Sequence, residues 1–209
     1  MKTLFIPAKL NIELDSNQIK SLSLPKNIGI VYSIQYQKIA FEIKEILSKN
    51  HNITKFLQVL GCSKPNFPKK TQAILAVSSG KFHSISLALE TKLPVYVFES
   101  GKLTKISNEE IRNLERKKKG SYLKFLNSEK VGILISIKPG QENLKRAISL
   151  KSKLKKKTYF FVSNELNIKE FENFLNVDSW INTACRRMDL DSSVINLSDL
   201  NLSNSKNSL

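Results

Sequence analysis

The chain contains two cysteines, and each stands where an apolar run gives way to a polar loop: Cys62 after FLQVLG and Cys185 after SWINTA. Thiolates at such positions can ligate a soft metal or an iron–sulfur cluster, and Arg186 and Arg187 beside Cys185 favour the anionic form. Two thiolates alone do not complete the usual ligand set for zinc or for a cluster, so a third ligand must come from elsewhere. The blander alternative is a pair of small buried hydrophobes, with both arginines as surface charges. The two positions show no spacing of a disulfide scaffold, and a reducing compartment would keep them as thiols.

Two further loops carry polar groups suited to a ligand. SSGKFHS (78–84) sets Gly80 and His83 after an apolar run, which suits an anion-binding turn or simply a helix entry. IKPGQE (137–142) reads as a strand-to-helix turn shaped by Pro139 and Gly140, from which Lys138 and Gln141 project. It lacks the spaced glycines and the Lys-Ser/Thr ending of a P-loop. No carboxylate pair, HExxH helix or nucleophile elbow occurs, which gives the common hydrolase mechanisms no support.

The elements that must position these loops repeat. IGIVYSI (28–34) is rich in β-branched and aromatic residues and runs into YQKIAFEIKEILSKN, where Ile39, Phe41, Ile43, Ile46 and Leu47 recur at helical spacing. VGILISIK (131–138) similarly leads into PGQENLKRAISLKSKL, whose inner face is expected to carry Leu144, Ala147, Ile148 and Leu150. AILAVSS (73–79) and PVYVFES (94–100) continue the first module, TYFFVSN (158–164) and SWINTAC (179–185) the second. Apolar runs this continuous fit parallel strands covered on both faces. The fold class expected is α/β, with two repeated three-layer α/β/α domains built on short parallel sheets.

The boundaries expected are 28–105 for a middle-type domain with Cys62, 106–130 for a helical connector, and 131–195 for a last-type domain with Cys185. Residues 1–27 form a leading strand and linker, and 196–209 a poorly ordered tail rich in Ser and Asn. The connector ISNEEIRNLERKKKGSYLKFLNSE is expected to be helical but broken near Gly120.

The 209 residues carry a formal charge of +16. That charge suits a polyanion partner, yet only five of the 34 basic residues are arginine (Arg112, Arg116, Arg146, Arg186 and Arg187). Planar contacts to phosphates and bases favour arginine, so a general lysine cover of solvated faces competes with nucleic-acid binding. A noncatalytic basic module for RNA or ribosomal surfaces stays open as an alternative. No stretch reaches the roughly 18 apolar residues of a membrane span, and the start does not read as a signal peptide, so a cytoplasmic protein is expected.

Taken together, QVLGCS (58–63), SSGKFHSISLAL (78–89), SIKPGQ (136–141) and DSWINTACRR (178–187) resemble the archaeal diphthamide-synthesis enzymes, the 2-(3-amino-3-carboxypropyl)histidine synthases. The similarity runs from about residue 28 to 191. It implies three homologous α/β domains, each giving one cysteine to a 4Fe–4S cluster whose open iron binds S-adenosylmethionine. It further implies a noncanonical radical reaction that transfers a 3-amino-3-carboxypropyl group to a histidine of translation elongation factor 2, the first step of diphthamide synthesis. On this resemblance Cys62 and Cys185 are the metal ligands of the middle and last domains. Gln35, Gly80, His83, Lys138 and Gln141 are then candidates for holding the cofactor. The third cysteine would sit on a first domain that this chain lacks, supplied by a separate subunit or a homodimer partner; a truncated or inactive relative is the other reading. Arg186 stands where the family usually has proline, whose fixed φ would stiffen the ligand loop.

Overall fold

The computed structural model describes residues 4, 6, 8–10, 14–60, 63–185 and 194–200. The chain folds as two units, Met1–Asn113 and Leu114–Leu209.

In the first unit β1 (Asn27–Tyr32), β2 (Asn52–Gln58), β3 (Ala73–Val77), β4 (Val95–Glu99) and β5 (Lys102–Lys105) form one sheet in the order β2-β1-β3-β4-β5. The first four run parallel and β5 returns antiparallel. Its return needs a tight turn, and Ser100 and Gly101 both adopt positive φ (48° and 80°), as two-residue hairpin loops require. Successive strand side chains alternate between faces, so β1 serves two cores at once. Ile28, Ile30 and Tyr32 pack with Ile39, Ala40, Ile43 and Leu47 of helix α2 (Gln37–Leu47), joined by Ile19 of the short α1 (Ser16–Lys20). Val31 faces the other way, with Ile74, Ala76 and Val97, against Leu87 and Ala88 of helix α3 (Phe82–Thr91).

Helix α4 (Asn108–Asn127) opens on a reciprocal capping box. The Glu110 amide donates to Ser107 Oγ at 3.1 Å, and the Ser107 amide donates to Glu110 Oε2 at 2.8 Å. The helix runs unbroken through Gly120, contrary to the break expected there. One interior glycine costs a helix only about 1 kcal/mol, and Leu114, Ser121 and Phe125 bury one side of this one.

The second unit contains β6 (Lys130–Ser136), α5 (Leu144–Lys153), β7 (Lys157–Ser163), a 3-10 turn at Ile168–Asn173, β8 (Ser179–Asn182) and β9 (Ile195–Asn196). The sheet is all parallel, in the order β7-β6-β8-β9. One face packs Val131, Ile133 and Ile135 against Ala147, Leu150 and Phe125. The other face gathers Leu134, Trp180 and Val194, with Phe161, Leu166, Phe171 and Val177 around them. Among the described residues that second face is covered by the 3-10 turn and loops rather than by a helix.

The two glycines of IGIVY and VGILI have the same task. A Cβ on Gly29 would stand 2.5 Å from the Phe67 ring, and one on Gly132 would stand 2.4 Å from the Trp180 ring. Each leaves room for an aromatic ring to lie on its sheet, which gives the repeated motif a packing cause.

Some expected faces differ. Leu144 and Ile148 are 42% and 53% exposed, while Ala147 and Leu150 are buried. With β7 as the sheet edge, no described strand lies beyond it on that flank to back those two side chains. Phe41 is also partly exposed, packing its edge on Phe56, itself on the edge strand β2. Of the tail expected from residue 196, Leu197 and Leu200 instead pack onto the second unit's main core; residues 201–209 lie outside the described residues. So do Cys62, Arg186 and Arg187, and most of the leading strand.

Candidate functional site

Both sheets reverse direction of growth at their first strand, which opens a crevice at the carboxyl ends of two neighbouring parallel strands. In the first unit β1 connects through α2 to β2 on one side, while β3 lies on the other side. The carboxyl ends of these strands are tied together: Val59 N donates to Tyr32 O at 2.9 Å, and Ser33 N to Val77 O at 3.3 Å. Gln35 lies exposed in the 3-10 turn after β1 (Ile34–Tyr36), its carbonyl accepting from Leu10 N at 2.8 Å. Gly80 and His83 follow β3 on the same edge.

Gly80 has φ +70° and its amide donates to Glu99 Oε1 at 3.0 Å, so the β3–α3 turn is closed by a carboxylate from the end of β4. Lys81 stands at the N-cap of α3 with no side-chain capping bond, and its Nζ reaches Glu110 Oε1 at 2.8 Å. The hydrogen bond from Lys81, with the Ser107 amide next, holds the Glu110 carboxyl below the ordinary glutamate range. Beneath the turn, the hydroxyls of Ser78 and Ser84 are buried without a hydrogen-bond partner among the described residues.

The second unit repeats this arrangement, with β6 joined through α5 to β7 on one side and β8 on the other. Lys138-Pro139-Gly140-Gln141 is a β-turn closed by Gln141 N on Lys138 O at 3.0 Å, with Gly140 at φ +79°. Pro at the second position and positive-φ Gly at the third are the type II pattern. Lys138 Nζ lies 3.1 Å from Glu165 Oε1, so the lysine is already ion-paired at the surface.

Across from that turn, the chain leaving β8 is held by side-chain bonds. Thr183 donates to Leu134 O through both its amide (3.1 Å) and its hydroxyl (2.7 Å). Asn143 Nδ2 donates to Thr183 O at 2.8 Å. The buried Asn182 then folds the loop back on itself: its Oδ1 accepts from Ala184 N at 2.9 Å, and its Nδ2 donates to Cys185 O at 2.7 Å. The same Nδ2 reaches Asn196 Oδ1 at 2.7 Å, which ties the loop to β9. Cys185 emerges from this clamp as an exposed free thiol.

Within each unit, then, the sequence candidates share one edge: Gln35, Gly80 and His83 in the first, Lys138, Gln141 and Cys185 in the second. Among the described residues no three His, Cys, Asp or Glu side chains gather into a metal site. Sequence reasoning missed Asn182, Asn143, Thr183, Glu99 and Glu165. Asn182 did leave a signal, since a polar residue inside an otherwise apolar strand run must find partners when buried.

The model of the diphthamide synthesis protein family matches residues 1–195. The chain belongs to that family. It is similar to the 2-(3-amino-3-carboxypropyl)histidine synthase of Pyrococcus horikoshii, at 28% identity over 90% of this chain and 60% of the relative. The synthase of Methanocaldococcus jannaschii is 30% identical over 93% of this chain and 58% of its own length. Subunit 1 of the Debaryomyces hansenii synthase is 22% identical over 91% and 50%. The chain thus spans about 60% of these archaeal relatives. In fold it matches the crystal structure of Dph2 from Pyrococcus horikoshii with a TM-score of 0.72 at 24% identity, over 89% of this chain and 60% of that one. The same protein crystallised with a 4Fe-4S cluster matches at 0.70 and 24%, over 84% and 56%.

Proposed function

We propose that this diphthamide-family chain carries two of the three cysteine domains of a 2-(3-amino-3-carboxypropyl)histidine synthase. It takes part in transferring a 3-amino-3-carboxypropyl group from S-adenosylmethionine to a histidine of translation elongation factor 2. The observation that carries this reading is the NTAC segment: in a chain matched by the family over residues 1–195, it ends β8 with an exposed thiol on a clamped loop.

The donor chemistry fits a 4Fe–4S cluster, because a thiol that must ligate iron needs to be accessible and its loop held in place. In this reading Cys185 and Cys62 are two iron ligands, and the third thiolate comes from a first domain outside these 209 residues. When bound, such a cluster supplies the electron that cleaves a carbon–sulfur bond of the sulfonium cofactor. This chain's own residues then bind and orient. The carboxyl-edge groups of Gln35, Gly80, His83, Lys138 and Gln141 are proposed to hold the cofactor's charged and polar ends. The Lys138–Glu165 pair gives that binding a means of exchange, since a cofactor carboxylate can replace Glu165 on the lysine. No helix of the described residues is long and apolar enough to cross a membrane, and the proposed place of work is the cytoplasm.

The experiment is transfer of label from carboxyl-labelled S-adenosylmethionine to elongation factor 2, using this chain with a first-domain subunit after anaerobic iron and sulfide loading and with dithionite as the reductant. Labelled protein is expected from the pair, with at least a hundredfold less from Cys185→Ala. Equal labelling by that variant would contradict the assignment.

A further inference from the structure

The second sheet ends at β7, and that edge is open. Lys157 N donates to Glu129 O and Ile137 N donates to Ser163 O, both at 3.0 Å, and the register to β6 is continuous between them. In a parallel ladder alternate residues bond the same neighbour, so Lys157, Tyr159, Phe161 and Ser163 direct their backbone groups to β6. The amides and carbonyls of Thr158, Phe160 and Val162 point the other way, where no described strand lies. Soluble proteins usually blunt such an edge with proline, a bulge or a central charge. β7, KTYFFVS, has none of these; its one charge stands at its first residue, and its aromatic centre is partly exposed.

Both faces beside the edge are apolar. On the α5 face Phe160 and Val162 are 37% and 57% exposed. Leu144 and Ile148 share a helical stripe with Lys151, whose Nζ lies 4.9 Å from the Phe160 ring centroid, so that stripe borders β7. On the opposite face Tyr159 follows Lys157, whose Nζ lies 5.7 Å from its ring, and Phe161 meets the exposed Phe174 at 4.7 Å between centroids. Each face therefore carries one lysine over an aromatic ring in the first half of the strand. Lys151 and Lys157 make no ion pair among the described residues, and the chain has no acidic residue between Glu142 and Glu165.

We infer that the β7 edge of the second unit binds an extended segment of a partner protein as an added strand, apolar along its length and acidic at the end beside Lys151 and Lys157. An added strand alternates its side chains between the two faces of the sheet, so one set meets Phe160 and Val162 and the other meets Tyr159. Main-chain bonds to Thr158, Phe160 and Val162 hold it, and the lysine on each face favours a carboxylate there. A second copy of this chain is the poorer fit, because its own β7 brings no carboxylate and its formal charge is +16.

The probe is a fluorescein-labelled peptide of alternating valine and threonine with glutamates at one end, made in both polarities and titrated into the full chain by anisotropy. At least one polarity should bind saturably. Val162→Pro removes an outward amide and leaves the bonds to β6, and should weaken binding at least tenfold; Val162→Thr keeps that amide and should cost less than threefold. Circular dichroism melts check that the proline variant folds. Lys151→Gln/Lys157→Gln should weaken binding threefold or more at low salt and less as salt rises. In the unmutated chain, bound peptide should slow hydrogen exchange of the Phe160 and Val162 amides at least tenfold, while those of Tyr159 and Phe161, already bonded to β6, change little. No saturable binding in either polarity, or no added protection of Phe160 and Val162 at saturating peptide, would overturn the proposal. So would equal binding by folded Val162→Pro, or by a peptide of glutamates alone. Self-association of the free chain that Val162→Pro abolishes would also overturn it, assigning the edge to a second copy.

Discussion

At the scale of single residues, Asn182 carries the most weight. Its amide group makes three bonds in the buried end of β8, and two of them shape the turn that presents Cys185. A buried group left without such partners costs roughly 1–3 kcal/mol, so Asn182→Ala should lower the unfolding free energy by about that amount. The local effect should exceed the global one. Hydrogen exchange at the Ala184 amide is expected to accelerate by tenfold or more in Asn182→Ala, and to stay slow in Asn182→Asp, which keeps an oxygen for that amide. Unchanged exchange in the alanine variant would remove Asn182 from its role as positioning residue. The same residue shows what sequence could and could not reveal. INTAC identified a strand end with a thiol, but which of its polar side chains turns inward depends on Asn196, fourteen positions away.

At the scale of elements, carboxylates hold the joints. Asp178 accepts from Glu129 N at 3.0 Å and from Lys130 N at 2.8 Å, which fixes the start of β6 beside the start of β8. The Lys130 amide, followed by that of Glu129, holds the Asp178 carboxyl below its ordinary range, and Glu110 is lowered by Lys81 and Ser107. A depressed carboxyl pKa contributes stability above the unfolded value and loses it as pH falls through the folded value. Thermal stability should therefore be flat from neutral pH to about 5 and fall below roughly pH 4, near the ordinary carboxylate values. Asp178→Asn with Glu110→Gln should be less stable at pH 7 and show a shallower acid decline; an identical decline would refute the attribution. Strands were the legible elements here, since β1, β3, β6 and β8 are buried on both faces and read as continuous apolar runs. The helix faces were less so. Periodicity placed Leu144 and Ile148 inward, but where the sheet ends is set by strand order, and a sequence window does not contain strand order. The hairpin strand β5, KLTK, has a largely exposed pattern and left no apolar signal at all.

At the scale of the whole chain, two units whose sheets both grow to either side of their first strand each bring their described candidate residues to the carboxyl edge of their own sheet. The repeat of IGIVY and VGILI was readable because a glycine and its overlying aromatic ring recur, Gly29 with Phe67 and Gly132 with Trp180. The central claim is that Cys62 and Cys185 serve one iron–sulfur centre completed by a first domain. Its most direct test is iron and sulfide content, with visible absorption and electron paramagnetic resonance after dithionite, for this chain loaded anaerobically with and without that domain. Close to four irons per pair and a reduced-cluster signal are predicted, with substoichiometric iron for the chain alone, for Cys62→Ala and for Cys185→Ala. Full iron content and an unaltered signal in either cysteine variant would contradict the claim.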